Sequence, residues 1–169
     1  GENPFALAII RLLLLTGARK GEIERLKWNE VDRQFQYLRI GDSKTGQKLI
    51  VLNAAALEII EQIPKAIGAD YIFPASRSDG WYQGTPKVWN RIRESAELQN
   101  VRLHDLRHSF ASVAASGGES LPIIGALLGH THGETTLRYA HLQPHSVRDA
   151  SDKTSIAINS ALGAQIRTT

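Results

Sequence analysis

The stretch LHDLRHSF, residues 103–110, sets His104, Arg107 and His108 within five positions, beside a single acid, Asp105. Three chemistries use such a cluster. His104 and His108 are four apart, so a helix would put both on one face, where paired imidazoles can take zinc. The zinc-protease pattern, however, wants Glu directly after the first His, and Asp105 stands there. Further ligands would have to come from His130, His132, His141 or His145, whose spacing matches no metal-site pattern. A second chemistry is nucleotide binding, because GDSKTGQK carries glycines at 41 and 46. A phosphate-binding loop then requires Lys followed at once by Ser or Thr, and Gln47 intervenes. The third is a phosphate held by arginines, with Arg19 of TGARKGEI joining Arg107. Guanidinium forks match phosphate oxygens in a way that lysine cannot. Each arginine alone reads more readily as a solvated surface residue, so convergence decides.

Convergence depends on the elements that carry these residues. Asn3 and Pro4 open a helix that Gly17 ends, and a second short helix carries Glu22, Leu26 and Trp28. FQYLRI and KLIVL flank the turn-rich GDSKTGQ and read as a hairpin within residues 31–52. Asn53 caps a helix to about Ile63, and YIFP reads as one more short strand. Thr85 and Pro86 open a helix to about Leu98, and residues 104–116 form another, closed by Gly117 and Gly118. Ser120 and Pro122 start a helix ending near Gly129; a last turn spans Thr135 to Tyr139, before a tail from Pro144. The expected class is mainly α with a small antiparallel β-sheet (α+β).

Composition bounds the rest. A chain of 169 residues, 42% apolar and 22% charged, suits one globular domain. The longest apolar run, Ala6 to Leu15, is broken by Arg11 and is too short for a bilayer; no secretory signal precedes it. A cytoplasmic enzyme with no membrane partner is therefore expected. Without cysteine there are no disulfides, thiolate metal sites or cysteine nucleophiles. Twenty basic against 17 acidic residues give +3 and a pI near 9.3, which fits nucleic-acid binding without demanding it.

Together, TGARKGEIERLKW, DSKTGQKLIVL, LHDLRHSFAS and LLGHTHGETTLRYAHL resemble the catalytic domain of tyrosine recombinases, the phage-integrase family of site-specific DNA recombinases. They stand in the family's order across residues 16–142, with eight residues between His130 and Tyr139. The resemblance implies the family's catalytic-domain fold. It assigns catalytic roles to Arg19, Lys44, His104, Arg107 and His130, with Tyr139 as nucleophile. Glu22 becomes a supporting acid and His108 a neighbour that packs or supports, while Lys48 rivals Lys44 within the same hairpin. Trp28, Trp81 and Trp89 are taken as core or interface residues.

The implied chemistry suits these side chains. A phenol with a pKa near 10 is a weak nucleophile at neutral pH, and nearby positive charge would favour its ionised form. The arginines would stabilise the phosphorane, and Lys44 would protonate the departing 5′ oxygen. His104 would act as acid-base or hydrogen-bond donor, and His130 as a donor. The product would be a 3′-phosphotyrosyl link, rejoined without ATP, cofactor or metal.

The implied partner is double-stranded DNA, bound as a tetramer on synapsed sites by protomers that are monomeric when free. A phage or other mobile element is the expected source. Residues 1–169 are expected to be a single catalytic domain without the family's N-terminal core-binding domain. The tail, about 144–169, would fold back or be exchanged between protomers, with Val147, Ile156, Ile158 and Leu162 on one face. Two other functions compete: a DNA-binding family member without catalysis, against which the intact six-residue set argues, and a metal-dependent hydrolase built on the histidines. The hydrolase would lose activity to chelators and keep it in Tyr139→Phe.

Overall fold

The computed structural model describes residues 1–41, 48–65, 67–76, 79–130, 134–142, 151, 154–158 and 160. Helix α1 (Pro4–Thr16) begins as its sequence requires. The Asn3 side chain accepts hydrogen bonds from the amides of Phe5 and Ala6, and Pro4 fills the first position, which relieves the donors a helix start leaves unpaired. It ends at Gly17 with φ of 63°, a left-handed conformation that favours glycine. Space enforces the same choice, since a Cβ there would stand 2.6 Å from Phe110 Cδ1.

Helix α2 (Lys20–Glu24) is shorter than the sequence reading expected, and Trp28 opens a separate 3₁₀ turn (Trp28–Glu30). The cause is tertiary pairing. The Trp28 amide donates to Asp70 and the Ile72 amide to Leu26, so this backbone serves residues 70–72 instead of a helix. YIFP correspondingly forms no strand, only bridges from Tyr71 to Lys27 and from Pro74 to Trp81.

The hairpin is present, with a third strand at its edge. Strands β1 (Val31–Asp32), β2 (Tyr37–Ile40) and β3 (Lys48–Val51) run antiparallel in that order. Ile40 pairs with Lys48 and Leu38 with Ile50, and alternation buries all four while Arg39, Leu49 and Val51 face outward. One face of the sheet thus buries a lysine. The hairpin tip, including Lys44, lies outside the described residues.

Helix α3 (Ala54–Glu61) is capped by Asn53, and α4 (Thr85–Ser95) stops three residues short of Leu98, where Glu97 turns left-handed with φ of 57°. Helix α5 (Asp105–Ser116) starts just after His104; α6 (Leu121–Leu128) runs from the Ser120 cap to Gly129, at φ of 64°. Helix α7 (Glu134–Leu137) and a 3₁₀ turn (Ala140–Leu142) follow.

Two apolar clusters result. The larger gathers α1, the sheet, α3 and Trp89 of α4, whose Nε1 donates to Val101 O. The smaller joins Ala111 and Ala115 of α5, Ile124 and Leu128 of α6, and Tyr139. Trp28 packs beside the larger cluster, and Trp81 lies against Tyr71 beneath Arg25. Among the described residues no helix is long and apolar enough to cross a membrane. In the tail, residues 154–158 are helical and Ile156 and Ile158 are exposed; Val147 and Leu162 lie outside the described residues.

Candidate active site

The seam between the clusters is closed by Arg107, in the first turn of α5 and only 5% exposed. Its Nη1 donates to Gly17 O at 2.5 Å and its Nη2 to Leu128 O at 2.8 Å. These carbonyls lie at the C-terminal ends of α1 and α6, where helices carry unpaired acceptors and partial negative charge. The guanidinium therefore gains two charge-assisted bonds at the position its burial requires. Burial, followed by the charge of Arg19, lowers its pKa, with Glu22 opposing. A guanidinium has five N–H donors, so three remain for a ligand.

Arg19 precedes α2, and its side chain is 50% exposed. Glu22, one turn later, accepts from the Arg19 amide at 2.7 Å and from Nη1 at 3.1 Å. Both Glu22 oxygens also accept from Lys48 Nζ, at 2.9 and 2.8 Å. Burial works to raise the Glu22 pKa, but the bonds from Lys48 and Arg19 prevail and hold it below the usual carboxylate value. Burial lowers the pKa of Lys48 while Glu22 opposes. Lys48 is thus committed to Glu22, and its stem fills the space over Gly129, where a Cβ would meet its Cε at 2.4 Å. Lys44 lies outside the described residues.

Two of the three histidines here lie ring against ring, and the third is bonded to a threonine. His104 stands at the start of α5, its ring edge-to-face with that of His108, centroids 5.0 Å apart. His108 Nδ1 lies 2.6 Å from the Tyr139 hydroxyl oxygen. His130 Nδ1 lies 2.9 Å from Thr136 Oγ1. Burial, then the charges of Arg107, Arg19, Arg138 and Lys48, push the His130 pKa down to about 4. It is therefore neutral at pH 7, and a Thr136 hydroxyl that donates to Nδ1 would leave its proton on Nε2 as a donor.

At Tyr139 the expected effect of nearby charge is present but opposed by burial. Its pKa is raised, because burial outweighs the charges of Arg138 and Arg107. In the free protein the phenol is protonated and bonded to an imidazole; it is not poised as an anion.

Arg19, His104, Arg107, His108, His130, Thr135, Arg138 and Tyr139 line one cleft of about 260 Å³. Five of the six residues expected to be catalytic thus meet, with Glu22 bonded to Arg19 and Lys48. The sequence reading missed Arg138, signalled only by its place beside Tyr139, and Thr136, whose link to His130 no spacing rule announces. Among the described residues no three His, Asp or Glu side chains gather as a metal site. Clustered cations, imidazoles and one phenol form an arrangement suited to a phosphate monoanion and its attack by oxygen.

Comparison with known proteins agrees with this chemistry. The sequence model described as "Phage integrase family" matches residues 5–146. The prophage integrase IntF of Escherichia coli strain K12 is 32% identical over 134 residues, covering 76% of this chain and 29% of that protein. The catalytic domain of bacteriophage HP1 integrase superposes with a TM-score of 0.63 at 27% identity, covering 86% of this chain and 79% of that one. XerH recombinase, in a post-cleavage complex with its palindromic difH substrate, shares the fold at a TM-score of 0.69 and 22% identity, over 86% of this chain and 44% of that one. The chain therefore spans less than half the length of IntF and of XerH.

Proposed function

The chain belongs to the phage integrase family, and from that membership we propose that it is the strand-transfer domain of a site-specific tyrosine recombinase, cutting and rejoining double-stranded DNA. The observation that carries this is the single cleft in which Arg19, His104, Arg107, His130 and Tyr139 meet.

The phosphodiester enters with its nonbridging oxygens against Arg19 and the free N–H groups of Arg107, and His130 Nε2 donates to one of them. Ionising a phenol of pKa near 10 at pH 7 costs about 4 kcal/mol, and burial adds to that. Charge developing on the phosphorane must offset this cost, at about 3–4 kcal/mol for each well-placed donor. Tyr139 Oη gives its proton to a base of the cleft and bonds to phosphorus while the 5′ oxygen departs with a proton from Lys44, and His104 assists as donor or acid-base. A 3′-phosphotyrosyl link and a 5′-hydroxyl result, and a second 5′-hydroxyl reverses the step without ATP. Lys44 is preferred to Lys48 as the acid because Lys48 is held by Glu22.

We place the protein in a phage or other mobile element, acting in the cytoplasm as a tetramer on synapsed DNA and monomeric when free. DNA as partner accords with XerH, a recombinase of the same fold held on its DNA substrate. The core-binding domain that grips the opposite DNA face is assigned to sequence outside this chain, and the tail from about residue 144 to a neighbouring protomer or its own domain.

The test is covalent capture. The protein and Tyr139→Phe are incubated in excess EDTA with duplexes tiled across the DNA flanking the gene, in this chain and in a form joined to any adjoining DNA-gripping domain. After denaturation in detergent, an adduct that survives EDTA and vanishes with Tyr139→Phe is expected. An adduct unaffected by the substitution moves the nucleophile elsewhere. DNA binding without an adduct makes the protein a binding module, and cleavage that appears only with added metal makes it a hydrolase.

A further inference from the structure

We propose that His108 accepts the proton of the Tyr139 hydroxyl as that oxygen attacks, a role that rests on Tyr139 being the nucleophile. The starting point is the 2.6 Å contact between His108 Nδ1 and Tyr139 Oη. Among the described residues no other side chain is bonded to Oη. His130 is engaged with Thr136, and the His104 ring rests against His108. Among the described residues, His108 is therefore the base bonded to the attacking oxygen.

Both partners are held in place. His108 projects from the second turn of α5, its ring braced by that of His104. Tyr139 is buried in the smaller cluster, and its amide donates to Thr136 O at 3.1 Å. The protonation states agree with the direction of the bond. Burial, then His104 and Arg138, lower the His108 pKa, with Asp105 opposing; burial raises that of Tyr139. Both shifts favour a neutral pair in which the phenol donates, Nδ1 accepts, and the histidine's own proton sits on Nε2.

The step balances within this pair. An Oη lone pair forms the bond to phosphorus as the Oη–H proton passes to Nδ1. The P–O5′ electron pair leaves on the 5′ oxygen, which takes its proton from Lys44. The imidazolium formed beside the phosphorane is attracted to its growing negative charge, and Asp105, three residues back on α5, favours the same charge. Rejoining reverses the transfer: a 5′-hydroxyl attacks, the P–Oη bond breaks, and Nδ1 returns the proton to the phenolate.

His108→Gln separates this role from positioning, because glutamine can hydrogen-bond Oη but cannot take its proton. Cleavage is compared on nicked duplexes from the gene's flanks, with the ordinary scissile phosphate and with a 5′-bridging phosphorothiolate whose sulfur leaves unprotonated. His108→Gln is expected to slow cleavage about a hundredfold or more on both, whereas the phosphorothiolate restores Lys44→Ala. Replacing Tyr139 by 3,5-difluorotyrosine, a more acidic phenol, is expected to restore His108→Gln. Unchanged cleavage by His108→Gln, its restoration by the phosphorothiolate, or its failure to respond to the fluorinated phenol would each overturn the role. Nitrogen NMR on the free protein supplies a test without DNA. His108 Nδ1 is expected to be an unprotonated acceptor whose resonance moves in Tyr139→Phe, and a protonated Nδ1 overturns the role. A wild-type protein that yields no adduct on any duplex removes the recombinase reading, and this role with it.

Discussion

Replacing Arg107 by Ala should unfold the protein more easily as well as disable it, and the two effects have separate causes. Arg107 donates to two buried carbonyls, Gly17 O and Leu128 O. Each carbonyl left unpaired costs about 1–3 kcal/mol, so the loss should be about 2–6 kcal/mol before any cavity term. For a domain of this size about 2–4 °C of melting temperature accompanies each kcal/mol, which gives a fall of about 10 °C at mid-range. Arg107→Lys should recover only part of it, since one ammonium cannot span two helix ends as a fork does. Arg19→Ala is the control, because its half-exposed pair with Glu22 is worth less than about 1 kcal/mol. The assay is urea denaturation followed by circular dichroism, without DNA. A buried cation kept only for its ligand would be a liability in the free protein, and its removal would stabilise the fold. Equal or greater stability of Arg107→Ala would therefore refute the strut described here.

Breaking the Lys48–Glu22 pair with Lys48→Met keeps the stem over Gly129 but leaves the Glu22 carboxylate, 12% exposed, with Arg19 alone, at a cost of about 1–3 kcal/mol. Adding Glu22→Gln should recover most of that in a double-mutant cycle. Gly129→Ala combines φ of 64° with a Cβ placed 2.4 Å from Lys48 Cε, and should lower stability by more than the ~1–2 kcal/mol of left-handed strain alone. The His130 pKa falls from 6.5 to about 4 on folding, so the unfolded chain binds the extra proton between those values. Stability should therefore decline as pH drops through that window and level off below it, and His130→Asn should flatten the slope. Thr136→Val removes the hydroxyl bonded to His130 Nδ1; the His130 NMR titration should shift, and cleavage slow about tenfold.

Where the sequence carries local signals, the fold follows them. Asn3, Asn53 and Ser120 cap the helices they were expected to cap, and Gly17 and Gly129 end helices with positive φ. The hairpin was legible because alternation switches from period 3.6 to period 2. Two of the failures share a cause, which is pairing across distance. Trp28 was assigned to a helix because nothing near it in sequence announces its bond to Asp70. YIFP was assigned to a strand because its residues suit one, although the protein offers it only single bridges. Motif spacing named the residues of the cleft, but spacing carries no burial, so it anticipated a Tyr139 tuned by charge where desolvation prevails. It likewise left His108 as a neighbour.

The Arg107 bonds reach residues 90 and 21 positions away, so the complete cleft exists only where α1 is docked on α5 and α6. A chain that has ordered only α5, α6 and the turn after them already holds the phenol and its imidazole. It lacks Arg19 and the carbonyl of Gly17, which arrive when α1 docks. A partly folded or proteolytically clipped molecule thus carries the warhead without the means to fire it. For an agent proposed to cut double-stranded DNA, long-range closure ties the complete cleft to the complete fold.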